Sequence, residues 1–344
     1  MKTIRWGILS TAKIGTLKVI PALQKAKNSA VVAIASRSYP KAADEAARLG
    51  IPRIYGSYEA LLDDPEIDAV YNPLPNHLHV PYTLKALAAG KHVLCEKPIA
   101  LTAPEAYMLL REIDQYPQLK VMEAFMYRYH PQWLQVKAWV GEGAIGGLRS
   151  VHTFFSYFNN DPANIRNQAD MGGGALMDIG CYCISFPRFL YGAEPLRVVG
   201  MIDRDPLLQT DRLTSGMLDF GGGRQATFTC STQLAPFQRT FLYGSAGFIE
   251  VEIPVNAPPD RETRIVLHTG QGTQVRVFPP VDQYTLQGEQ FAEAIRNNTP
   301  VPTPLSDALD NMRVIDALFQ SAETRQWIQH GPEGGIPDAP EWPG

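Results

Sequence analysis

The sequence predicts an α/β protein: a doubly wound parallel sheet at the N-terminus, then an α+β domain with an open, mostly antiparallel sheet. Three observations predict it. Apolar runs of strand length alternate with amphipathic segments through the first third of the chain, as parallel crossovers require. A turn of small residues, Ser10 to Gly15, joins the first strand to the first helix. Beyond Leu196, β-rich runs follow one another through glycine-containing turns, the pattern of an antiparallel sheet. At 344 residues the chain suits two domains and needs no covalent staples. The expected division is 1–122, 123–330 and an irregular glycine- and proline-rich tail, 331–344.

The strands of the first domain are expected at Ile4–Ser10, Val31–Ser36, Ala69–Asn72, His92–Cys95 and Lys120–Ala124, with a short piece at Arg53–Tyr55. Their near-continuous apolar character fits a sheet covered on both faces. Between them the helical segments are Ile14–Lys27, Lys41–Leu49, Tyr58–Asp63, Val80–Ala89 and Ala103–Gln115. Ser57 and Thr102 supply N-caps, and Gly50 and Gly90 stand where a left-handed cap favours glycine. In the second domain a helix at Pro131–Val140 precedes a long strand, Leu148–Phe158, and a helix at Ala175–Tyr191. Hairpin-like strands follow at Leu196–Met201, Thr214–Phe220, Gln225–Ser231, Thr240–Tyr243, Phe248–Ile253, Arg264–His268 and Gln274–Phe278. Alternation along several of them gives the sheet one covered face. Helices at Tyr284–Asn297 and Ser306–Trp327 close the fold.

Composition excludes several function classes. Net charge is -4 and no basic stripe occurs, which argues against nucleic acid or an anionic membrane as partner. The four cysteines, Cys95, Cys181, Cys183 and Cys230, lie in apolar segments without metal-site spacing, so no metal centre is expected and they read as reduced core residues. No apolar run reaches membrane-spanning length, and a strand follows Lys2 directly, with no leader-like segment. A cytoplasmic protein is the expectation.

Four motifs carry chemistry. Ser10, Ala12 and Gly15 hold the spacing of a dinucleotide fingerprint, although two of its glycines are replaced by other small residues. Backbone at Thr11, Lys13 and Ile14 can then meet a pyrophosphate at a helix N-terminus. The second strand ends in Ser36-Arg37, without the acid that binds an adenosine ribose 2′-hydroxyl; serine and arginine suit a 2′-phosphate, so NADP is expected over NAD. Pro73, Asn76 and His79 fall in a proline-stiffened loop after the third long strand. Glu96-Lys97-Pro98 places a lysine at the end of a buried strand, where open α/β sheets bind ligands. Finally, Gly172-Gly173-Gly174 precedes Asp178 and Tyr182, which are four apart and share a helical face. Tyrosine can exchange a proton with an alcohol, and a lysine cation would favour its phenolate. The same tyrosine also reads as a core residue with a satisfied hydroxyl, and both readings stand on the residues alone.

The combination of Gly7–Gly15, Pro75–His79, Glu96-Lys97-Pro98 and Gly173–Tyr182 resembles the Gfo/Idh/MocA family of nicotinamide-dependent oxidoreductases, over residues 1–328. The resemblance implies a catalytic role for Lys97 and a proline, Pro98, that is often cis. Many members carry a histidine four residues after the aspartate; here Tyr182 stands there, as in the branch of NADP-dependent D-xylose dehydrogenase, dihydrodiol dehydrogenase and glucose–fructose oxidoreductase. That branch implies Tyr182 as acid/base beside Asp178. Together, motifs and resemblance give expected cofactor contacts at Ser10, Thr11, Ala12, Lys13, Ile14, Ser36, Arg37, Pro73, Asn76, His79, Glu96 and Lys97, and expected substrate contacts at Lys97, Arg128, Asn164, Arg166, Asp178 and Tyr182, with Asn164 and Arg166 equally readable as ordinary loop residues. Arg128 and His130 serve equally well as residues of the domain junction. The expected reaction moves hydride between NADP and a sugar or polyol hydroxyl, with an aldose oxidised at C1 to a lactone. Alternatives are trans-dihydrodiol dehydrogenation or reduction of a sugar ketone or aldehyde; from another class, an NADP-binding sensor without turnover. A homodimer or homotetramer through the second sheet is expected.

Overall fold

A computed structural model describes residues 2–330; the tail expected from 331 lies outside the described residues. Contacts divide the chain into two compact units, residues 2–126 with Gln283–Leu309, and Tyr127–Asp282 with residues 310–330. The expected boundary at 122 followed sequence order, whereas Gln283–Leu309 groups with the first unit.

The first unit is built on six strands: β1 (Ile4–Leu9), β2 (Ser29–Ala35), β3 (Arg53–Tyr55), β4 (Ala69–Asn72), β5 (His92–Cys95) and β6 (Val121–Glu123). All pair in parallel, in the order β3-β2-β1-β4-β5-β6. This is the doubly wound order, whose switch point lies between β1 and β4. Ile8, Val70 and Leu94 are fully or almost fully buried, which explains the continuous apolar runs. Five helices cross between strands: α1 (Ile20–Lys25), α2 (Tyr39–Leu49), α3 (Tyr58–Leu62), α4 (His79–Ala88) and α5 (Ala103–Glu112). The Ser57 and Thr102 side chains accept from the Ala60 and Glu105 amides, as N-caps should. The expected helix Ile14–Lys27 is not uniform. It opens with a wide π-type turn, Gly15–Val19, before α1. Pro21 has no N–H to give the i−4 carbonyl, so the ladder widens ahead of it.

The second unit contains α6 (Pro131–Gly141), α7 (Cys181–Tyr191) and nine strands. These are β7 (Leu148–Phe158), β8 (Arg197–Arg204), β9 (Asp211–Gly221), β10 (Arg224–Ser231), β11 (Gln233–Gly244), β12 (Gly247–Val251), β13 (Thr263–Thr269), β14 (Gly272–Phe278) and β15 (Ile328–Gln329). Their order is β14-β13-β12-β11-β7-β10-β9-β8-β15. Only the β7–β10 pairing is parallel; the other pairs of this sheet are antiparallel. The fold class read from sequence therefore holds: an α/β protein with a parallel six-stranded sheet and a mostly antiparallel nine-stranded one.

Two helices complete the description, α8 (Gln283–Asn297) and α9 (Leu305–Thr324). Phe291 of α8 packs against Trp6 of β1 with ring centroids 5.7 Å apart, and Thr285 donates to the Ala22 carbonyl. Long-range contacts of this kind tie Gln283–Leu309 to the first unit. Helix α9 stops at Thr324, short of the expected Trp327, where Arg325 takes a left-handed φ of 57°. The chain then adds β15 to β8.

Candidate active site

In the first unit the site begins at the carboxyl end of β1. Ser10 has a φ of 101°, a conformation that side chains rarely adopt, and its hydroxyl accepts from the Ala12 amide at 3.2 Å. The fingerprint turn is thus formed with serine where glycine would be unstrained. The first helical bond runs from Thr16 N–H to Ala12 O. Hence the amides of Lys13, Ile14 and Gly15 precede the first intrahelical donor and lie at the positive end of the helix. Such a cradle fits a pyrophosphate.

At the end of β2, Ser36 is buried and its hydroxyl accepts from the Ser38 amide. Arg37 is exposed. Its guanidinium lies beside the Tyr58 phenol, which burial raises above its ordinary pKa and the cation partly restores. A cation with no carboxylate at this strand end fits a phosphate on the adenosine ribose.

The loop after β4 and the turn after β5 are clasped together by His79. Its Nδ1 lies 2.7 Å from Pro98 O and its Nε2 lies 2.7 Å from Leu74 O. The ring is 1 % exposed, and burial lowers its pKa to about 4. His79 was expected at the cofactor. Both ring nitrogens face main-chain carbonyls, the neutral ring donates to one of them, and the buried ring lies between the loop containing Pro73 and Asn76 and the turn containing Lys97. The Lys97–Pro98 peptide is cis. Glu96 is nearly buried and accepts from the Tyr71 hydroxyl at 2.6 Å. Lys97 itself is half-buried. On the other side of Pro98, the Ile99 amide donates to Glu123 Oε1, anchoring the turn to β6.

In the second unit the chemistry gathers around Asp178. The helical segment opens with a π-type turn, Leu176–Gly180, which contains Asp178, and continues as α7, which contains Tyr182. Asp178 Oδ2 accepts from the Tyr157 hydroxyl at 2.6 Å and from Arg166 Nε at 2.9 Å. Burial, then the Asp178 charge, holds the Tyr157 phenol well above its ordinary pKa, so it remains a donor. Tyr182 is 4 % exposed, with its ring edge-on to Tyr127 and Phe155. Asn164 caps the turn Ile165–Asn167 by accepting from the Arg166 amide, which explains its place in the loop that delivers Arg166.

Arg128 is packed among side chains of its own unit. It donates to the Ser185 hydroxyl at 2.9 Å and lies over the Phe189 ring. His130 is 1 % exposed; it caps α6 by accepting from the Gln132 amide, and burial lowers its pKa to about 4. The glycine run is explained by close approach. A Cβ at Gly173 would lie 2.5 Å from Arg166 O, and one at Gly174 would lie 1.9 Å from Asp211 Oδ1. Sequence reading missed Tyr157. Its signal was available: Val151, Thr153, Phe155 and Tyr157 form one alternating row of β7, and the last of them carries a hydroxyl. Among the described residues, no group of three or more His, Cys, Asp or Glu side chains could hold a metal ion. No helix among them is long and apolar enough to cross a membrane.

Comparison with known proteins gives a consistent answer. Residues 4–124 match the oxidoreductase family with an NAD-binding Rossmann fold, and residues 133–250 match the GFO/IDH/MocA C-terminal domain. The chain is 46% identical over 332 residues to an uncharacterized oxidoreductase of Rhizobium meliloti, covering 95% of this chain and 99% of the relative. It is 37% identical over 320 residues to D-xylose 1-dehydrogenase (NADP(+)) 2 of Haloferax volcanii, covering 93% and 97%. Among solved structures, a 3-ketoreductase from Actinomadura kijaniata in complex with NADP and TDP-benzene aligns with a TM-score of 0.88 at 31% identity, covering 93% of this chain and 98% of that one. With both halves matched and relatives covered almost end to end, the chain belongs to the Gfo/Idh/MocA family of NAD(P)-dependent oxidoreductases.

Proposed function

We propose that this oxidoreductase uses NADP to oxidise a hydroxyl of a sugar or polyol, with an aldose converted at C1 to its lactone. One observation carries the substrate class. Asp178, Tyr157 and Arg166 form a hydrogen-bonded polar cluster one turn from Tyr182. A site that presents several polar groups suits a polyhydroxylated ring better than an apolar diol. The likeness to an NADP-dependent D-xylose dehydrogenase supports the same direction.

Bound NADP supplies the hydride acceptor. The amides of Lys13, Ile14 and Gly15 would hold the pyrophosphate, and Arg37 with Ser36 would hold the 2′-phosphate. Tyr182 takes the proton of the reacting hydroxyl. Lys97 is assigned the positive charge that favours loss of the hydroxyl proton. Asp178, itself fixed by Tyr157 and Arg166, orients the hydroxyl. A second reading, reduction of a sugar ketone, is the same transfer run backwards by the same groups. The likeness to a 3-ketoreductase favours keeping it in the assay. We further propose that two copies associate through the open face of the second sheet.

The test measures NADPH formation and consumption against aldoses, polyols, a cyclic trans-diol and keto sugars, with NAD in parallel. Turnover of an aldose with NADP is expected. Lys97→Ala should lower kcat by about 10²-fold or more while NADPH binding persists. Turnover undiminished in Lys97→Ala, or NADPH binding without turnover across the panel, would remove the assignment.

A further inference from the structure

The most deeply buried aspartate among the described residues has no task in the mechanism. Asp211 begins β9 and is 1 % exposed. Its Oδ2 accepts from the Leu176 amide at 2.7 Å and from the Thr214 hydroxyl at 2.9 Å. Its Oδ1 occupies the space that a side chain at residue 174 would fill: a Cβ built on Gly174, whose φ is 119°, would lie 1.9 Å away. The Gly174 carbonyl in turn accepts from the Asp178 amide at 3.0 Å. One carboxylate therefore stands against the last glycine of the run and accepts from the amide of Leu176, two residues before Asp178. An anion at the start of a helix also favours its dipole.

We propose that Asp211 is a positioning residue: from the head of β9 it clamps Gly174 and the Leu176 amide and so fixes where Asp178 and Tyr182 stand. Three features agree with this. The carboxylate is buried at a place where it costs stability, since burial raises its pKa to about 6. Gly174 has both a glycine-favouring φ and no room for a side chain, and the obstacle is Asp211 itself. Thr214 spends its hydroxyl on the same carboxylate oxygen, three residues along β9. A residue that served the sheet alone would not need to be acidic; a residue that receives a helix-opening amide does need an acceptor.

The kinetic arm of the test rests on the dehydrogenase reading; the exchange arm does not. Asp211→Ala, Asp211→Asn and Gly174→Ala are compared with the wild type in the full chain. The readouts are kcat and KM with the active sugar, NADPH Kd by fluorescence, and amide exchange of the peptide spanning Leu176 to Tyr182. Asp211→Ala should lower kcat about tenfold or more and speed exchange of that peptide, with NADPH Kd changed less than about threefold. Asp211→Asn keeps an acceptor oxygen and should stay within about threefold of wild type in every readout. Gly174→Ala should fall with Asp211→Ala, and replaces it in the comparison should the alanine variant not fold. Wild-type kcat and exchange in Asp211→Ala, or an Asp211→Asn variant no better than the alanine, would overturn the proposal. Lack of any turnover in the wild type would count against the dehydrogenase reading alone, and exchange would still decide the role of Asp211.

Discussion

Asp211 illustrates how a single residue can oppose stability while serving a site. Its carboxyl titrates near 6 in the fold, against about 3.9 in an unfolded chain. Between those values the folded protein binds a proton that the unfolded one has released. Its contribution to stability is therefore fullest in acid and is lost as pH rises through about 6. The groups facing it do not reverse this: Arg204 lowers the value only in part, and the Cys230 thiol is buried and held neutral. Asp211→Asn should remove the loss, making the variant more stable than wild type at pH 8 by an amount absent at pH 4, with an upper bound of about 3 kcal/mol. Urea unfolding at the two pH values measures it; an equal difference at both would mean that Asp211 does not titrate in this range. The same residue shows what sequence could not supply. Asp178 and Tyr182 were legible because they are close in sequence. Asp211 meets Leu176 across 35 residues, and Tyr157 meets Asp178 across 21. Nothing local marks either pairing.

Among the elements, legibility followed burial and chain locality. The parallel strands were readable because their central positions are buried and mostly apolar, as Ala69, Val70 and Tyr71 of β4 are. The first helix was less so, because Pro21 forces a π-type turn that apolar periodicity does not encode. The grouping of α8 with the first unit was invisible, since the Trp6–Phe291 contact spans most of the chain. The turn between β1 and this helix offers a test at its own scale. Ser10 holds a φ of 101° and bonds the Ala12 amide through its hydroxyl. A β-branched residue there has neither the conformational freedom nor the acceptor. Ser10→Val should cost about 2 kcal/mol of stability and weaken NADPH binding, read by thermal unfolding and fluorescence titration. Unchanged Tm and Kd would show that the turn relaxes to a negative φ without disturbing the nucleotide cradle.

For the whole molecule, the feature that asks for an explanation is the second sheet. One face of its centre is covered: Val151 and Phe155 are buried, and Phe155 meets Tyr182 of the α7 side. The opposite row of β7 and β11 lines a groove of about 550 Å³ that includes His152, Phe154, Phe237 and Phe241. Phe158, Met201 and Phe237 are 60%, 72% and 50% exposed, and Tyr243, Val275 and Val277 are exposed as well. Apolar surface on this scale is uncommon on a monomer unless it meets a partner. The charges on this part of the sheet do not oppose self-association, because Arg239 pairs with Glu250 and Arg264 pairs with Glu252 within one chain. A two-fold interface places the same patch on both copies, so an introduced charge appears twice and repels itself. Phe237→Glu with Tyr243→Glu should therefore convert a dimer or tetramer to a monomer in light scattering. Tyr182 lies on the covered side, so kcat per chain should change by less than about threefold. A wild type that is monomeric at tens of micromolar would remove the interface. A variant that stays associated would move the contact elsewhere, leaving the exposed aromatic row without its explanation.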